Sequence, residues 1–267
     1  MTETVKTDDF TMEYFKFGEG DKPLVIIPGL GIQSVMCFAD AVADAYRLLT
    51  EDYTIYVFER RNELPQSFSV FDTARDTAEA IRAIGLGRVS ILGASYGGMA
   101  SMAASIRYPE LVDKMILAST SACVTEEEFK TVDSWISLAK EENAEKLYLA
   151  FGEALYPKEI YEKSKDVLID AAKAVTKEDL ERFITLAEGI KGFDVTDDLN
   201  LIKCPVFVIG DRQDRVFGAA ATENIARYMK KRSDFKFYMY DGYGHAVYDT
   251  APDFKERILN FLRQKND

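Results

Sequence analysis

Val89-Ser90-Ile91-Leu92-Gly93-Ala94-Ser95-Tyr96-Gly97-Gly98 is the stretch from which the fold can be read. An apolar run with the character of a buried strand stops at Gly-x-Ser-x-Gly, and a small-residue segment from Met99 to Tyr108 then reads as a helix. Glycines at 93 and 97 permit a strand-to-helix turn too tight for a side chain at either position. Such a turn holds the Ser95 hydroxyl clear of the backbone at the head of a helix, where an attacking oxygen is needed. The chain has a single histidine, His245, which lies far downstream in Gly242-Tyr243-Gly244-His245. A serine elbow followed by one late histidine points to a serine hydrolase.

Outward from the elbow, strands and helices alternate. Phe10 to Phe17 reads as an early exposed strand, and Leu24 to Pro28 as a short buried one ending in Pro28-Gly29-Leu30-Gly31. Ala39 to Leu49 is helix-like, Tyr53 to Phe58 is strand-like, and Phe71 to Ile84 has helical spacing with Asp72, Arg75, Asp76 and Glu79 on its polar side. Met115 to Ala118 is the next buried strand. The alternation predicts a mostly parallel sheet covered by helices on both faces.

The rhythm breaks between about residues 122 and 201. Thr125-Glu-Glu-Glu128 reads as a capping box, and further helical runs follow at Ala144–Leu155, Tyr161–Val175 and Thr176–Ala187. Alternation resumes with a strand at Val206–Ile209, a helix at Ala219–Met229, a strand at Phe235–Tyr240 and a closing helix around Glu256–Leu262. The expected organisation is one domain, with a core from residues 1–121 and 202–267 and a helical cap inserted at 122–201.

Composition narrows the function classes. The chain has 267 residues, 47% hydrophobic and 29% charged, which suits one large globular domain. A net charge of -12 argues against nucleic acid and gives no basic face for an anionic membrane. The polar N-terminus lacks the apolar core of a signal peptide, and no apolar run approaches a membrane span. Cys37, Cys123 and Cys204 are read as reduced thiols of a cytoplasmic protein. One imidazole and no Cys-x-x-Cys make a metal site improbable.

The chemistry needs a base, an acid and N–H donors. A serine hydroxyl becomes a good nucleophile only when a neighbouring base takes its proton, and His245 has no competitor for that role. A carboxylate must orient the imidazole. Asp211 and Asp214, after the strand at Val206–Ile209, are both candidates; Asp214 is favoured because a few residues of loop let it turn back, whereas Asp211 sits closer to the strand and suits capping the loop. Negative charge building on the attacked carbonyl calls for preorganised donors, expected at the backbone N–H groups of Tyr96 and Leu30. Aromatics at helical spacing in the cap mostly read as packing; Trp135 and Met99 are the residues selected as candidates for an apolar substrate pocket.

These motifs together resemble the α/β-hydrolase fold superfamily over nearly the whole chain. The resemblance rests on Pro28-Gly29-Leu30-Gly31, Gly93-Ala94-Ser95-Tyr96-Gly97-Gly98, the Ile202–Gly210 entry to Asp214, and Gly244-His245. It implies an eight-stranded, mostly parallel sheet, a helical cap over the site and no cofactor. Two departures stand out. Pro28-Gly29 replaces the His-Gly of many relatives, which leaves open what supports the oxyanion loop. Glu59-Arg60-Arg61-Asn62-Glu63-Leu64-Pro65 replaces their Asp-x-x-Gly-x-Gly-x-Ser, as a surface turn or a loop shaped for another substrate. The expected activity is cleavage of a small or medium carboxylic ester through an acyl-enzyme. The alternatives are acyl transfer, perhydrolysis or carbon–carbon bond hydrolysis on the same triad, or a ligand-binding protein that has lost turnover.

Overall fold

The computed structural model describes residues 2–264. The chain opens with β1 (Thr2–Lys6) and β2 (Thr11–Phe17), then β3 (Lys22–Ile27), α1 (Ala39–Ala45), β4 (Tyr53–Arg61), α2 (Val70–Ile84), β5 (Val89–Ala94), α3 (Tyr96–Arg107) and β6 (Val112–Ala118). Four helices follow without a strand: α4 (Glu126–Lys140), α5 (Ala144–Leu155), α6 (Lys158–Ala172) and α7 (Lys177–Glu188). The chain then returns through β7 (Val206–Asp211), α8 (Ala219–Met229), β8 (Phe235–Tyr240), α9 (Val247–Thr250) and α10 (Phe254–Leu262).

The strands form one sheet in the order β1-β2-β4-β3-β5-β6-β7-β8. β1 and β2 are antiparallel to their neighbours, and every pairing from β4 to β8 is parallel. Each parallel strand therefore delivers its following loop to the same edge of the sheet. Successive side chains alternate between two apolar layers. Val25, Ile27 and Ile91 join the layer that includes α2, α3 and α8, while Leu24, Ile26 and Leu92 pack with Phe254, Ile258 and Phe261 of α10. Both faces of the central strands are covered, which is why they read as unbroken apolar runs.

Helix starts follow local chemistry. Ser69 with Asp72, Thr125 with Glu128, and Thr176 with Asp179 each form a reciprocal capping box, so the first free N–H groups of α2, α4 and α7 are satisfied. α2 ends at Gly85 with φ 78°, a left-handed stop.

Four elements differ from the sequence expectation. β1 has no counterpart in it, because a sheet-edge strand with only Val5 buried carries little apolar signal. α9, a single turn after His245, was also not foreseen. β4 runs on to Arg61, so Glu59, Arg60 and Arg61 are buried strand residues instead of the start of a surface turn. Asp76, expected on the polar side of α2, is fully buried: its carboxylate accepts from Arg61 Nε at 2.6 Å and Nη2 at 2.8 Å. Charges are buried here because they find each other, at separations in the chain that periodicity does not register.

Candidate active site

Ser95 sits between the end of β5 and the start of α3 with φ 51° and ψ -119°, a conformation that side chains other than glycine rarely adopt. The surrounding packing enforces it. A Cβ on Gly93 would overlap Ser101 Oγ and the Gly97 carbonyl, and a Cβ on Gly97 would overlap the Ile27 carbonyl oxygen. Thr120 Oγ1 donates to the Ser95 carbonyl at 2.7 Å, and the Ser95 N–H donates to the Ala118 carbonyl at 2.8 Å. The strained residue is thus held from β6 as well as by its own strand.

The loops after β7 and β8 bring the acid and the imidazole together. His245 Nδ1 lies 2.9 Å from Asp214 Oδ2, and both side chains are buried. Asp214 Oδ1 accepts the backbone N–H groups of Val216 at 2.8 Å and Phe217 at 3.2 Å. Burial opposes its charge, but the His245 ring and these N–H donors outweigh burial and hold the carboxyl below the usual carboxylate range. Asp211 does different work. Its two oxygens accept the Gln213 N–H at 2.7 Å and the Tyr243 N–H at 2.9 Å, tying the acid loop to the histidine loop. Phe217 meets the imidazole edge-on, with ring centroids 5.7 Å apart.

Among the described residues Ser95 Oγ makes no hydrogen bond, to His245 or to any other group. Ser95, the loop after β3 and the loop of His245 nevertheless converge at one edge of the sheet. The position of a Cβ on Gly29 is 3.3 Å from Ser95 Cβ and 3.9 Å from Tyr248 Oη, in the helix that begins two residues after His245. Without a bound ligand a serine–histidine contact is often longer than in the reacting complex.

Leu30 lies in the irregular backbone after β3, and Tyr96 is the first residue of α3, whose N–H has no partner within the helix. A cleft of about 240 Å³ opens beside this loop, lined by Gly29, Leu30, Phe38, Arg60, Arg182 and Tyr248 among others. Met99 and Trp135 are not among its lining residues. Met99 is wholly buried under the elbow, and Trp135 packs on Phe151 with ring centroids 4.5 Å apart.

Three features of the site were not read from the sequence. Glu59, Arg60 and Arg182 meet behind the loop after β3, with Glu59 Oε1 3.8 Å from Arg60 Nη1 and 3.7 Å from Arg182 Nη2. Burial works against the Glu59 charge, but the Arg60 and Arg182 guanidinium groups and the Ser34 hydroxyl hold it below its ordinary value. Three charged residues directly continuing an apolar strand were the available signal. Asp249, in α9, faces the same cleft, where its surroundings push its carboxyl up to about 6. Ser119, at the end of β6, has φ 46° and a buried hydroxyl without a partner among the described residues.

A strained serine after the fifth strand, a carboxylate–imidazole pair from the ends of the last two and an irregular loop after the third thus meet at one edge of a mostly parallel sheet. A family model described as the alpha/beta hydrolase fold matches residues 22–252, and the chain belongs to that family. It is a hydrolase of this fold. It is 26% identical over 259 residues to the serine hydrolase BPHL of Mus musculus, covering 94% of this chain and 83% of that one. It is 25% identical over 283 aligned positions to the 2-hydroxy-6-oxo-6-phenylhexa-2,4-dienoate hydrolase of Comamonas testosteroni, covering 96% and 93%. Among solved structures, MGS-M2, an alpha/beta hydrolase enzyme from a deep-sea metagenome library of the Medee basin, superposes with a TM-score of 0.87 at 20% identity, covering 99% of this chain and 98% of that one.

Proposed function

We propose that the protein cleaves small or medium carboxylic esters through a Ser95 acyl-enzyme. One observation carries this reading: the imidazole, hydrogen-bonded at 2.9 Å to Asp214, comes to the same sheet edge as a serine held at φ 51°. Ser95 Oγ attacks the ester carbon as His245 Nε2 takes its proton. The oxyanion is met by the N–H groups of Leu30 and Tyr96. Collapse of the tetrahedral intermediate expels the alcohol, which leaves with the proton from His245. Water then repeats the sequence on the acyl-enzyme, regenerating Ser95 and releasing the acid. Asp214 orients the ring and stabilises its cationic form throughout.

The segment at residues 122–201 acts as a cap. Its support is that Leu155 and Tyr156, at the end of α5, accept hydrogen bonds from the Ala246 N–H and the Arg215 guanidinium, in the histidine and acid loops. No cofactor enters this mechanism. No helix among the described residues is long and apolar enough to cross a membrane, and a cytoplasmic location remains part of the proposal.

A chain-length panel of activated esters, read beside labelling by a serine-directed fluorophosphonate, tests the reading. Turnover and labelling should both vanish in Ser95→Ala, and turnover should vanish in His245→Ala. Slow hydrolysis unchanged by Ser95→Ala would identify a binding protein instead. The named dienoate hydrolase among the relatives favours one second reading, carbon–carbon bond hydrolysis. Product analysis with dienoate ketones, and with water, peroxide and alcohol as acceptors, separates it and acyl transfer from ester cleavage.

A further inference from the structure

The loop that carries the Leu30 N–H belongs to no helix or strand, yet it is fixed at both ends by adjacent residues of β4. Arg60 Nη2 donates to the Pro28 carbonyl at 2.7 Å and to the Gly29 carbonyl at 2.9 Å. Glu59 Oε2 accepts from Ser34 Oγ at 2.6 Å and from the Val35 N–H at 3.0 Å. The same Arg60 guanidinium lies over the Tyr96 ring, 4.9 Å from its centroid, and Tyr96 is pinned at its far end by a 2.7 Å hydrogen bond between its hydroxyl and Thr73 Oγ1. One cation therefore touches the backbone that carries the Leu30 N–H and the side chain of Tyr96, the residue that would supply the other oxyanion donor. It does so at a cost: Arg60 is only 4% exposed, and its Nε is buried with no partner among the described residues.

Peptide geometry gives these contacts a consequence. A planar peptide turns its carbonyl and its N–H together, in opposite directions. The Gly29 carbonyl shares a peptide with the Leu30 N–H, so a donor that fixes this carbonyl fixes the direction of that N–H. Glycine at 29 gives the backbone freedom to turn without such a donor.

We propose that Arg60 is a positioning residue of the oxyanion site: by holding the Pro28 and Gly29 carbonyls it keeps the Leu30 N–H directed to the place where negative charge develops. Arg182 extends the arrangement to α7. Its guanidinium donates to the carbonyls of Arg61 at 3.0 Å, Asn62 at 3.2 Å and Arg60 at 3.1 Å, bracing the end of the strand from which Arg60 projects. Arg60 touches neither the nucleophile nor the base, so its removal should affect charge stabilisation and leave proton transfer intact. This inference rests on the proposed ester chemistry.

The test compares wild type, Arg60→Ala and Arg60→Lys as full-length proteins, using the rate at which a fluorophosphonate phosphonylates Ser95, inhibition by an alkylboronic acid, and ester kcat and KM. Arg60→Ala should lower phosphonylation and kcat by about 10- to 100-fold and weaken the tetrahedral boronate similarly, with KM changed by less than about threefold. The pH profile should keep its midpoint. Guanidinium chloride at millimolar concentration should restore part of the rate where sodium chloride does not. Arg60→Lys, which keeps the charge with a single-point donor, should fall between the two and serves alone if the alanine variant does not fold. Wild-type phosphonylation and kcat per folded molecule in either variant would overturn the proposal. So would a loss confined to KM, or one that guanidinium leaves unchanged. Failure of the wild-type protein to label at Ser95 would instead overturn the ester-hydrolase reading itself.

Discussion

Asp211, the last residue of β7, and Asp214 are three positions apart and have different partners, so they make separable predictions. Asp214 faces the imidazole, whereas both oxygens of Asp211 are occupied by backbone N–H groups. Asp214→Asn should lower kcat by about 10⁴-fold with the fold intact, since the amide favours the wrong tautomer of the ring. Asp211→Asn places an amide NH₂ where an acceptor is required, and should instead lower stability by about 1–3 kcal/mol. Chemical denaturation and steady-state kinetics on both variants distinguish the two roles. Asp249 offers a test in pH. Its carboxyl meets solvent at the cleft mouth, but burial among its neighbours raises it to about 6, only partly countered by Lys255. A folded value above the unfolded one near 3.9 means the native state binds the extra proton, so this group's contribution to stability falls as pH rises from about 4 to about 6. Asp249→Asn should remove that slope and stabilise the protein at neutral pH, by less than about 1 kcal/mol once solvent screening is allowed for.

At the scale of elements, Arg182 joins α7 to the end of β4 through three carbonyls and Glu59. Burial lowers its own affinity for a proton, partly offset by Glu59, so it is held by its acceptors in a place that disfavours charge. Arg182→Ala should cost about 2–3 kcal/mol and raise amide exchange in α7 and residues 59–62 before it does so in α10. Equal exchange throughout would show that α7 is held by packing alone. This contact also marks where the sequence ceased to be legible. The parallel strands were readable because each is an apolar run closed by turn residues, and helix starts such as Thr125 carry local caps. Arg182 and Arg60 are separated by 122 positions in the bond between them, and no local pattern announces such a pair. The same reason hid Asp76 and the continuation of β4. The strained turn at Ser95 was legible because glycines flanking a serine are a local signal, and His245 could be singled out because it is the sole imidazole.

Across the whole molecule, the last helix is bound to the first half of the chain. Tyr53 Oη donates to the Leu262 carbonyl at 3.1 Å, and the Lys114 ammonium, from β6, donates to the same carbonyl at 2.8 Å. Phe254, Ile258, Leu259, Phe261 and Leu262 are all buried in the layer that covers Leu24 and Ile26. Burying five such side chains contributes roughly 8–15 kcal/mol, comparable to the entire stability of a typical domain. Truncation before Phe254 should therefore abolish cooperative unfolding, as followed by circular dichroism, even though every proposed catalytic residue remains. A truncated protein that melts in one transition would show that the sheet does not depend on its closing helix.

The bond from the Ala246 N–H to the Leu155 carbonyl, at 3.1 Å, has a kinetic implication. It couples the loop of the proposed base to the end of α5, so an outward swing of the proposed cap there must break this bond or carry the histidine loop with it. On the proposed mechanism, admission of a bulky molecule then competes with readiness for proton transfer within one cycle. Reaction velocity on large esters should then track how fast that latch re-forms, and solvent viscosity should slow it more than it slows turnover of small ones.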